Sequence, residues 1–113
     1  ELLSKADMYD PLPEEVDEAE CRADIFEGIW SEAAELRRSG TLLETARRIQ
    51  CPVLAIHGDY DPHPAAGVRE PLGTVLSGFR FILLSRCGHT PWLEREARDA
   101  FYRAVREELR TRT

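Results

Sequence analysis

Asp61 and His89 are the residues of this 113-residue chain whose types and surroundings fit acid–base chemistry. Asp61 closes the stretch Cys51-Pro-Val-Leu-Ala-Ile-His-Gly-Asp-Tyr-Asp61, and His89 lies in Ser85-Arg-Cys-Gly-His-Thr-Pro-Trp-Leu-Glu94. Each follows a short apolar run and falls in the polar loop after it. A histidine whose one ring nitrogen is held by a carboxylate keeps the other free as a general base. Such a pair serves to activate a hydroxyl nucleophile, and acid before histidine is one of the chain orders that triads use. The third member is missing, because no Gly-x-Ser-x-Gly occurs in the chain.

Simpler readings stand beside each of these. Asp61 precedes Pro62, as a turn-forming aspartate does. His89 precedes Thr90-Pro91, a pair that suits a helix start. His57 ends an apolar run and reads as structural, and Asp59 reads as a loop or surface residue. His63 sits between prolines two residues after Asp61; it faces either a substrate cavity or open solvent. Cys87, two residues before His89, raises a Cys–His nucleophile. Side chains so close on a strand end generally point in different directions, which argues against it.

The elements that must position these residues follow from periodicity. Residues 1–13 read as irregular, with Pro11 and Pro13 as breakers. From Glu14 to about Arg38, Ile25, Phe26, Ile29, Trp30, Ala33 and Leu36 recur at helical spacing and build one apolar stripe. Core packing is the expected role of Phe26 and Trp30. Gly40 stops this helix. Thr41 is expected to cap a short second helix with apolar face Leu42, Leu43, Ala46 and Ile49. Pro52–Ile56 and Phe79–Leu84 have the length and continuous apolar character of parallel strands buried on both faces. A helix is expected between them over Ala65–Leu76, interrupted by Pro71 and Gly73. Thr90 and Pro91 are expected to start a final helix, with Leu93, Ala97, Ala100, Phe101, Ala104, Val105 and Leu109 on its inner face. Trp92 is expected to anchor the loop after His89 in the core. Residues 51–113 therefore read as a βαβα unit with a right-handed crossover, and residues 1–50 as a separate helical segment.

Composition narrows the function classes. Hydrophobic content of 42% and charged content of 32% describe a soluble globular chain. No run approaches the ~20 apolar residues of a membrane span, and the first residues lack the pattern of a signal peptide. The chain does not start with Met, so sequence upstream is expected. The net charge of −6 is uneven: residues 1–36 hold 12 acids and only Lys5 and Arg22 as bases, whereas the remainder is net positive. That points to two structural layers, with an acidic solvated helix face in the first. The basic residues are spread along helices without interleaved aromatics, which argues against nucleic-acid binding. Cys21, Cys51 and Cys87 form an odd set without metal-type spacing, as in a reduced cytoplasmic protein. No metal site, phosphate-binding glycine loop or dinucleotide fingerprint is legible, so no cofactor is expected.

At the two motifs the sequence resembles the α/β-hydrolase superfamily. Its members commonly carry a proline, an apolar run and Gly-x-x-Asp after the seventh sheet strand, and Gly-His after the eighth. Pro52 to Ile56, Gly58-Asp-Tyr-Asp61 and Gly88-His89 match in that order, as do Pro91, Glu94 and a long terminal helix. The resemblance is firm over residues 49–109 and looser over 14–48. It implies an α/β fold, with 51–113 as the C-terminal βαβα part of a larger parallel sheet and 1–50 as cap-end and pre-strand helices. It implies Asp61 as triad acid and His89 as base, in hydrolysis of an ester, amide or similar small molecule. His63 and Trp30 are then candidates for contact with substrate, Trp30 through a cap pocket. The first strands, oxyanion loop and nucleophile elbow of the family have no counterpart here. Two outcomes are expected from that: a hydrolase completed by an N-terminal half, or an inactive module that self-associates or pairs with a partner through an open sheet edge.

Overall fold

The computed structural model describes residues 6–13 and 22–111. The described chain is mixed α/β, with four α-helices and a two-stranded parallel sheet. Helix α1 spans Ala23–Arg38 and α2 spans Thr41–Ala46. Strand β1 (Val53–Gly58) leads through α3 (Ala66–Val75) to β2 (Phe79–Leu84). A 3-10 turn at Pro91–Leu93 precedes α4, Arg98–Thr111. The expected helix start at Glu14, and Cys21, lie outside the described residues.

Strand register runs from Val53↔Phe79 to Gly58↔Leu84, so both strands end level. Their carboxyl-terminal loops therefore leave the sheet side by side. The core sits at this same end. Leu84, Cys87 and Ala97 are buried, and Ile56, Ile82, Ala100 and Phe101 pack against them. The expectation of strands buried on both faces is corrected: β1 is largely half-buried, and Leu83 on β2 is exposed. Among the described residues there is no third strand to flank the pair.

Local chemistry explains most boundaries and several departures. Gly40 ends α1 in the left-handed region at φ 79°, which glycine enters at little cost. It also stands at the N-cap of α2, so Thr41 is inside that helix and makes no cap bond. Helix α3 runs unbroken through Pro71, although a proline there removes one helical donor. The carbonyl it would have faced belongs to Gly67, an exposed residue where water can serve.

The largest departure is at the last helix, which starts at Arg98 and not at Thr90. Glu94 is extended (φ −86°, ψ 133°) because it forms a β-bridge with Pro11. Its carboxylate is fully buried and accepts the N–H groups of Tyr9 (2.6 Å), Asp10 (2.7 Å) and Gly88 (3.4 Å). The Leu12 N–H donates to Leu93 O and the Arg95 N–H to Asp10 O. Residues 7–12, expected to be irregular, thus form a strap laid across the His89 loop.

Large apolar groups remain uncovered. Ile25, Phe26, Ile29 and Trp30 keep the expected helical stripe, yet each is more than half exposed. Their role as core residues is therefore not met within the described chain; Phe26 and Trp30 touch each other, with Arg37 over the indole. Trp92 is also exposed and packs its ring on Phe101, so Glu94 and the buried Pro91 anchor that loop in its place. Total accessible surface is 8912 Å², against roughly 6,300 Å² for a compact protein of this mass. The radius of gyration of 16.0 Å likewise exceeds the about 13 Å of a compact domain this long.

Candidate active site

Close backbone approaches bring the loop after β2 against the loop after β1 and against residues 7 and 8. A side chain at Gly58 would place its Cβ 2.3 Å from both the Cys87 and Gly88 carbonyl oxygens. A Cβ at Gly88 would meet the Asp7 carbonyl. Both positions need glycine for space alone. Hydrogen bonds then zip the loops: Asp59 N–H to Leu84 O (2.9 Å), Tyr60 N–H to Cys87 O (2.7 Å), and Cys87 N–H to the Asp59 carboxylate (3.2 Å). Asp59 is accordingly a bridging loop residue. Arg86 takes a left-handed φ of 52° to turn the chain from β2 into this contact.

Asp61 and His89 meet at this junction. The His89 Nδ1 lies 2.8 Å from Asp61 Oδ2, and the His89 backbone N–H donates to Asp7 O. The Asp61 side chain is 5% exposed and that of His89 is 52% exposed. The acid is thus held inside while the imidazole reaches the surface. Burial pushes the Asp61 carboxyl upward. Hydrogen bonds from His89 and from the His63 N–H and ring, with the charge of His89, outweigh it and hold the group at about 2. An ionised carboxylate only accepts, so the facing Nδ1 carries a proton, and in the neutral imidazole Nε2 then keeps its lone pair. That is the arrangement of a general base. Among the described residues no serine hydroxyl hydrogen-bonds this imidazole.

The turn reading of Asp61 holds as well, since the His63 N–H donates to Asp61 Oδ1 at 2.9 Å. One side chain fixes its own loop through one oxygen and orients His89 through the other. His63 also brings Nδ1 to 2.9 Å from Oδ1, with its ring exposed. His57 is half-buried, stacks on Phe81 and places Nε2 2.8 Å from the His63 carbonyl. It is the structural residue its strand position implied, but it also belongs to this cluster.

A cavity of about 280 Å³ opens beside the pair, lined by Ile56, Gly58, Val68 and Pro91 with the three histidines and Asp61. His63 lies on it; Trp30 is not among its lining residues. Cys87 is fully buried, and burial together with the charges of Glu94, Asp59 and Asp61 pushes its thiol up to about 11. A thiol so placed forms no thiolate at neutral pH, which removes it as a nucleophile. The sequence pattern did not reveal that Glu94 organises the strap, because its role depends on burial against residues 84 and 85 positions away. No known protein family, curated protein or solved structure matches this chain.

Proposed function

We propose that this chain carries the acid and base of a serine-type α/β-hydrolase, with Asp61 orienting His89 and a serine from outside these 113 residues as nucleophile. The observation that carries the reading is the 2.8 Å contact between His89 Nδ1 and a buried, ionised Asp61, made where two parallel strands end. Ligands bind at the carboxyl ends of such strands. In this reading His89 Nε2 takes the proton of the attacking serine, then returns it to the leaving group. Asp61 holds the imidazole in one tautomer and stabilises the imidazolium. The substrate is a small ester, amide or related molecule, the compartment is the cytoplasm, and no membrane or nucleic acid takes part. Among the described residues no helix is long and apolar enough to cross a membrane.

The test is to recover the protein from its native cells by a C-terminal tag and treat it with a fluorophosphonate probe. Labelling of a serine outside these residues, lost with His89→Gln, supports the reading. Turnover should fall by about 10⁴-fold or more in that variant. A polypeptide of these 113 residues alone, unlabelled, overturns it.

The exposed stripe of α1 and the unflanked sheet favour a second reading as an association module. There the same surfaces are covered by another copy or a partner, and the acid–histidine pair is inherited and idle.

A further inference from the structure

We propose that Asp61, His63 and His89 form a binding site for a divalent transition-metal ion of the zinc class. The chain has three histidines, and every one turns a ring nitrogen toward the Asp61 carboxylate: His89 at 2.8 Å, His63 at 2.9 Å and His57 at 3.7 Å. A triad accounts for one of them. His63 occupies the second carboxylate oxygen and has no part in activating a serine.

The geometry suits an ion. One oxygen of Asp61 and one ring nitrogen each of His63 and His89 lie within 4.8 Å of one another. Metal–ligand bonds of about 2.0–2.2 Å place neighbouring ligand atoms roughly 3.4 Å apart. Asp61 is pinned by its own turn, while the rings of His63 and His89 are largely exposed and free to rotate the remaining distance. Two imidazoles and one carboxylate match the donor preference of Zn²⁺, with a fourth position open to the cavity. His57 braces the set from behind: its Nε2–H donates to the His63 carbonyl and so fixes the backbone of a ligand, as outer-sphere partners do.

Binding inverts the tautomers. In the metal-free pair each Nδ1 gives its hydrogen to the ionised carboxylate. An ion takes the Nδ1 lone pair instead, so a neutral imidazole bound through Nδ1 carries its proton on Nε2. His89 then has no lone pair at Nε2. Metal binding and action as a general base exclude each other; this consequence alone rests on the hydrolase reading, and the site itself does not.

Zinc titration of the chelator-treated protein, with Cys21→Ser and Cys51→Ser to remove competing thiols, tests the site. One Zn²⁺ per chain is expected, weakened about 10-fold or more by His63→Ala. In ¹⁵N-imidazole NMR the Nδ1 signals of His63 and His89 should move on zinc addition while His57 keeps its own. The His89 proton should shift from Nδ1 to Nε2. Absence of stoichiometric binding, equal affinity in the His63 variant, or shifts confined to His57 overturns the proposal. The NMR readout decides even if the variant misfolds. Failure here leaves serine labelling unaffected, and failure of labelling leaves zinc binding unaffected.

Discussion

Burial and hydrogen bonding act on Asp61 in opposite directions, and their balance sets how the site responds to acid. Desolvation raises a carboxyl pKa, but the two histidine loops supply enough donors to bring this one from 3.8 to about 2. The folded value is below the unfolded one. The stabilisation is therefore complete above pH 4 and disappears as pH falls from about 4 to 2. In the presence of chelator, denaturation midpoints followed across that window should lose a component worth roughly 2 kcal/mol. Asp61→Asn should lose the component while keeping the rest of the acid transition. An unchanged profile in that variant would show that Asp61 is not held low. Asp61 and His89 were legible from residue type and loop position. The hydrogen bond of His63 to the same carboxylate and the approach of His57 to 3.7 Å were not, because both depend on ring orientation.

At the scale of elements, the loops after β1 and β2 converge because Gly58 permits it, and Gly88 lets residues 7 and 8 close on the loop after β2. Gly58→Ala puts a methyl 2.3 Å from two carbonyl oxygens, and the Cys87 oxygen cannot move without breaking the bond it accepts from the Tyr60 N–H. The variant should separate the loops and abolish the His89–Asp61 bond, read as loss of the downfield Nδ1 proton in NMR. Glu94 plays the matching part for the strap. Changing it to Gln replaces one acceptor oxygen with a donor facing N–H groups of Tyr9, Asp10 and Gly88. Hydrogen bonds to a charged acceptor are worth about 1.5–3 kcal/mol each, so a loss on the order of 2–3 kcal/mol is expected. Faster hydrogen exchange at Tyr9, Asp10 and Leu12 should accompany it; unchanged protection there would show the strap is held otherwise. The strands, the helix between them and the stop at Gly40 were legible from local pattern. The start of α4 was not, because Glu94 is drawn into an extended conformation by a contact with Pro11, 83 residues away in sequence.

For the whole molecule the decisive quantity is uncovered surface. About 2,600 Å² separates the observed 8912 Å² from the area expected of a compact chain. That excess is about three times the roughly 800 Å² that one partner contributes to a standard interface. It includes the apolar stripe of α1 and a groove between α2 and α3 lined by Leu42, Leu43, Ile49 and Leu72. Produced as these 113 residues alone, the chain should sediment as an oligomer or aggregate, and Ile29→Lys with Trp30→Lys should shift it toward monomer. A compact monomer with cooperative unfolding would contradict this. The order of helices and strands, the placement of Asp61 and His89 in strand-end loops, and the apolar faces were readable from the residue pattern. Those properties reside in neighbours three or four positions apart, in prolines and in glycines. Long-range packing brings two histidines into hydrogen bonds with one carboxylate and a third to 3.7 Å from it, lays residues 7–12 beside His89, and seals Cys87 inside. Each of these depends on distances between segments set by strand register and backbone contact, and no local pattern encodes such distances.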